Sequence, residues 1–94
     1  MDELLVRHRE EILRIAKRHG VTRIRVFGSL ARGEGGEGSD ADFLIDVEGP
    51  TTPWFPGGLV VDLETLLGRR VDVVESCAIC EPLRKRILNE AVSL

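Results

Sequence analysis

A chain of 94 residues makes one domain with a real but modest core, and 43 % apolar with 31 % charged residues is ordinary for a soluble globular chain. The net charge of −3 is unevenly placed: residues 1–32 hold eight Arg/Lys against four acids, whereas residues 33–64 hold eight acids and no base, which excludes the middle third as a phosphate-backbone surface and suits it to a cation. No apolar run approaches the ~18 residues of a membrane span and the first residues lack the basic start of a signal peptide, so a single domain over 1–94, a cytoplasmic location and no direct nucleic-acid or membrane partner are expected.

In chain order, Leu4, Leu5, His8, Ile12, Ile15, Ala16 and His19 recur at helical spacing and predict one amphipathic helix over 2–19, ended by Gly20. A strand follows over 22–27, where Arg23 and Arg25 alternate with Ile24 and Val26; the two arginines face either a partner or water. It stops at Gly28 and Ser29, before a short helix-compatible piece, Leu30, Ala31 and Arg32. Gly28 lets backbone approach a ligand closely, Ser29 aims a hydroxyl into the same space, and free N–H groups there favour phosphate. The tract 33–38 reads as a mobile loop beside this turn, because it precedes a strand and its glutamates would repel pyrophosphate.

Asp40-Ala41-Asp42 then leads into a strand over 41–47. The two-residue period puts Asp40 and Asp42 on one face and Ala41, Phe43 and Ile45 on the other. Two carboxylates side by side repel, so a divalent cation between them is expected, and Mg²⁺ characteristically takes a few carboxylates plus substrate phosphates. Residues 51–58 form a loop in which Trp54 and Phe55 are a lid over the core, a stacking platform for adenine, or a partner contact. Leu59, Val60, Leu63, Leu66 and Leu67 predict a helix closed by Gly68.

The strand Val71, Asp72, Val73, Val74 carries an acid inside an apolar run, costly to bury unpaired. Either Arg69 or Arg70 holds it, or the strand lies beside the previous one and Asp72 joins Asp40 and Asp42. Cys77 and Cys80 are read as plain thiols, since a structural zinc needs four ligands and His8 and His19 lie elsewhere. Pro82 opens a last helix whose inner face is Leu83, Ile87, Leu88 and Ala91. The sum is a small α/β domain, a mixed sheet covered by helices, with undetermined strand order.

The stretch GSLARGEGGEGSDADFLIDV resembles the signature of polymerase-beta-type nucleotidyltransferases, and in particular the stand-alone MNT (minimal nucleotidyltransferase) antitoxins. Phe27, Gly28, Ser29, Asp40 and Asp42 fit the pattern, with Asp72 as the third carboxylate. The resemblance implies the polymerase-beta-like fold, catalytic and metal roles for Asp40, Asp42 and Asp72, nucleotide binding at Gly28 and Ser29, and Mg²⁺ with ATP as substrate. Arg32 is either a phosphate contact or a surface arginine. In that family AMP is placed on a hydroxyl, expected to be tyrosine, of a HEPN ribonuclease toxin. The alternatives are a non-catalytic antitoxin that neutralises by binding, and a nucleotidyltransferase acting on a small molecule.

Overall fold

The computed structural model describes residues 2–35, 38–49 and 54–94. In chain order it has α1 (Glu3–Arg7), α2 (Arg9–Arg18), β1 (Val21–Phe27), β2 (Ala41–Val47), α3 (Gly57–Leu67), β3 (Val71–Glu75), a 3₁₀ turn (Ser76–Ala78), α4 (Leu83–Glu90) and β4 (Val92–Ser93). The expected first helix is two helices divided at His8, which caps one and opens the other at φ −102° and ψ 14°. Asp2 caps α1, its Oδ1 accepting from the Leu4 N–H at 2.9 Å. In α2, Glu10 and Glu11 begin the helix and Lys17 and Arg18 end it, the arrangement that complements the helix dipole. α3 stops at Gly68, whose φ of 67° is the left-handed conformation that glycine adopts without a Cβ penalty.

The four strands lie in the order β3-β2-β1-β4. β1 is antiparallel to both β2 and β4, while β2 and β3 are parallel, so α3 is the crossover between them. Period-two alternation divides the faces. Ile24, Val26, Ala41, Phe43, Ile45 and Val71 pack with Leu5, Ile12 and Ala16 of α1 and α2 and with Leu59, Leu63 and Leu67 of α3 in one buried cluster. Leu44 and Ile87 are buried outside that cluster, and Leu83, expected on the inner face of α4, is exposed.

The second face carries Arg25, Phe27, Asp42, Leu44 and Asp46. Arg25, expected to face a partner or water, is half-buried and donates from Nη2 to Asp46 Oδ2 at 3.1 Å. The Ser76 hydroxyl donates to the other Asp46 oxygen. These bonds join β1, β2 and the 3₁₀ turn, and the Ser76 bond foremost, then Arg25, holds the Asp46 carboxyl below the usual carboxylate range.

Trp54 is 84 % exposed, which removes the lid reading for that residue, whereas Phe55 packs against the core. β2 and α3 each run roughly 16 Å between the Asp42 end of the sheet and the other end, and Trp54 sits just before α3 at that other end. It is therefore no platform for a base beside Asp42. The remainder of that loop, 50–53, and residues 36 and 37 of the tract after Gly33 lie outside the described residues.

A carboxyl with a lowered pKa contributes stability above its unfolded pKa and loses it as pH falls through the folded one. Asp46→Ala is thus expected to cost about 1–2 kcal/mol at neutral pH, because it also leaves a half-buried arginine without its partner. In urea titrations repeated under increasingly acid conditions, the gap from the unsubstituted chain should close.

Candidate functional site

Strand register assembles the site. Asp42 lies opposite Phe27 on one side and opposite Asp72 on the other, so the three form a row across the sheet on the face turned from the main core. Asp40 stands just before β2, and two bonds pin that entry to the start of β3: the Ala41 N–H to the Arg70 carbonyl at 2.9 Å, and Arg69 Nη1 to the Ser39 carbonyl at 3.2 Å. Arg69 is thereby engaged with the backbone of the strand entry. The parallel pairing of β3 beside β2 selects the reading in which Asp72 joins Asp42.

Burial raises the Asp42 carboxyl above the usual carboxylate range, and the negative charges of Asp72 and then Asp40 raise it further. All three carboxylates therefore act on one locus. They are not a finished cage: among the described residues no three His, Cys, Asp or Glu side chains are grouped to hold an ion unaided. Asp40 and Asp72 are exposed and Asp42 is half-buried, so the cluster is open on one side. An open, oxygen-only set fits Mg²⁺, which keeps waters and completes its shell with substrate phosphates.

Gly28 closes the site from β1. Its φ is 77°, and a Cβ built there would collide with Asp42 Oδ2, so both backbone conformation and the space needed by the carboxylate demand glycine. The piece after it is a series of turns, not the helix expected at 30–32. The Gly28 carbonyl accepts from the N–H groups of Ala31 at 3.1 Å and Arg32 at 3.3 Å, the Leu30 carbonyl from Gly33 at 3.3 Å, and the Ser29 carbonyl from Glu34 at 2.9 Å. These internal bonds consume the later amides, and among the described residues no bond engages the amides of Ser29 and Leu30 or the Ser29 hydroxyl. Leu30 and Ala31 are buried in the core and hold the turn down.

Arg32 is half-exposed; its Nε donates to Glu34 Oε2 at 2.9 Å and its Nη1 to Glu90. Glu90 carried no signal in the sequence, since a single acid at the end of an amphipathic helix is commonplace. Asp46 was legible in principle, being four residues beyond Asp42 and so on the same face.

Gly28→Ala is expected to destabilise the fold by about 1–2 kcal/mol from the left-handed backbone alone. It should also displace the Asp42 carboxylate, so that any midpoint shift the unsubstituted chain shows with Mg²⁺ is smaller or lost in the variant.

The nucleotidyltransferase domain family matches residues 7–94. The protein adenylyltransferase MntA of Thermococcus cleftensis is 38 % identical over 92 residues, covering 98 % of this chain and 90 % of its own. A candidate protein adenylyltransferase of Methanocaldococcus jannaschii is 40 % identical over 86 residues, 92 % of each chain. The structure of a candidate minimal nucleotidyltransferase superposes with a TM-score of 0.87 at 45 % identity, over 100 % of this chain and 97 % of that one. A chain of a Shewanella oneidensis complex between tri-AMPylated HEPN toxin and MNT antitoxin superposes at 0.71 with 16 % identity, over 94 % and 69 %, a likeness of fold. The match over residues 7–94 and the likeness to these relatives along nearly the whole chain show that it belongs to the nucleotidyltransferase domain family, among relatives named protein adenylyltransferases.

Proposed function

We propose that the chain transfers AMP from ATP to a hydroxyl of a partner HEPN ribonuclease toxin and so acts as its antitoxin in the cytoplasm. The observation that carries this reading is the row of Asp42 and Asp72 in strand register, with Asp40 acting on the same locus and Gly28 packed against it. The names of the relatives support the reaction, and the toxin–antitoxin complexes that share the fold, one of them with AMP-PNP, support the partner.

Asp40, Asp42 and Asp72 would hold Mg²⁺, which when bound supplies positive charge to the phosphoryl oxygens. Ser29 and the first amides of the turn hold the terminal phosphates, and Arg32 adds a cationic contact. The acceptor oxygen bonds to the α-phosphorus as the bond from that phosphorus to the bridging oxygen breaks, and pyrophosphate leaves. The acceptor's proton goes to a carboxylate, and the exposure of Asp72 supports it in that role. The chain has no tyrosine, so if tyrosine is the acceptor, transfer occurs in trans.

Carboxylates that repel one another in the free protein make the native state a good ligand for Mg²⁺-ATP. At a hundredfold excess over Kd, binding adds about 2.7 kcal/mol, which in a domain of this size raises Tm by about 10 °C or more. Asp42→Asn should lose most of that rise, and a wild-type midpoint unmoved at saturating Mg²⁺-ATP counts against the site.

Catalysis and mere binding separate at Asp72. Asp72→Ala should still co-purify with the co-expressed toxin, since partner affinity comes from surface contacts, yet add no AMP mass to it and leave it active. Intact-mass spectrometry reads the outcome; silencing without added mass in either pair makes the protein a masking antitoxin instead.

A further inference from the structure

Arg32 is held by two acids from different places: Glu34, two residues away in the same loop, and Glu90, at the end of α4. The β1–β4 register explains how Glu90 arrives. Val26 lies opposite Val92, and counting back along the same antiparallel register brings the end of α4 level with Gly28. Glu90 therefore stands beside the turn that begins at Gly28, and it is less exposed than the arginine it holds.

Two carboxylates on one exposed guanidinium exceed what a surface pair needs, and such pairs add little to stability. Their effect is on orientation. Among the described residues the two bonds use Nε and Nη1, leaving the N–H groups of Nη2 for an incoming phosphate oxygen.

We infer that Glu90 is a positioning residue of the nucleotide site, holding the Arg32 guanidinium beside the Gly28 turn so that it meets the nucleotide's phosphates already oriented. This rests on the nucleotidyl-transfer reading, and it makes α4 part of the site. Orientation fixed before binding lowers the entropy lost on binding.

The test is calorimetric titration of Mg²⁺-AMP-PNP into the unsubstituted chain, Glu90→Ala, Glu90→Gln, Arg32→Ala and the Arg32→Ala/Glu90→Ala pair, with a thermal melt of each. Glu90→Ala should raise Kd by about three- to fivefold, the scale of one exposed ion pair, and Glu90→Gln by less, because its amide oxygen still accepts. In the Arg32→Ala background the Glu90 substitution should add nothing, with midpoints close to wild type throughout. Wild-type affinity in Glu90→Ala, or an equal loss with and without Arg32, overturns the inference while leaving the wider reading intact. Absence of AMP-PNP binding by the unsubstituted chain overturns both.

Discussion

The parallel register of β2 and β3 is the constraint on which the site depends. It sets Asp42 and Asp72 opposite one another, where like charges on neighbouring strands destabilise a sheet. The backbone ladder prevents the two from parting, and Gly28 leaves Asp42 room on the β1 side. The repulsion is offset on the reverse of the same strand, where Ala41, Phe43 and Ile45 are fully buried. A seven-residue strand thus presents a strained carboxylate on one face because it is anchored by apolar burial on the other.

Asp42 and Asp46 show what the surroundings do to one residue type. Both project from the second face of β2, yet their carboxyls shift in opposite directions: Asp42 is raised by burial and two acid neighbours, Asp46 lowered by a hydroxyl and a guanidinium. Asp46 already has its partners and ties Arg25 and Ser76 together. Asp42, raised by burial and by acid neighbours, is a carboxylate that a cation would stabilise. The division falls along the strand, with the fastening near its C-terminal end and the candidate site at its beginning.

The C-terminal segment completes this face in a way that unites structure and site. Ile87 is buried under α4 while Leu83 stays exposed, so the helix is seated by its later half. That half ends at Glu90, beside Arg32, and runs directly into β4, which pairs with β1 at Arg25 and Val26. The segment that closes the sheet edge therefore also reaches the turn carrying Ser29.

Much of this was legible because its signals are local. Alternation of apolar and polar residues located β1, β2 and β3 within a residue or so, helical spacing and Gly68 bounded α3, and the spacing of Gly28 and Ser29 from Asp40 and Asp42 singled out the candidate site. What needed the tertiary structure depends on residues distant in the chain. The strand order β3-β2-β1-β4 is one such outcome; Asp72 opposite Asp42, the Asp46 bonds and Glu90 beside Arg32 are pairings across 21 to 58 residues, and no periodicity encodes a partner. The break at His8 and the turns in place of a helix at 30–32 are packing outcomes as well: Leu5, Leu30 and Ala31 are drawn into the core, and burial overrode weak local helical preference there. By itself the sequence determined which residue types face which side of each strand; only the assembled sheet decided which of them meet, because side-chain direction follows from the local backbone and partnership follows from register.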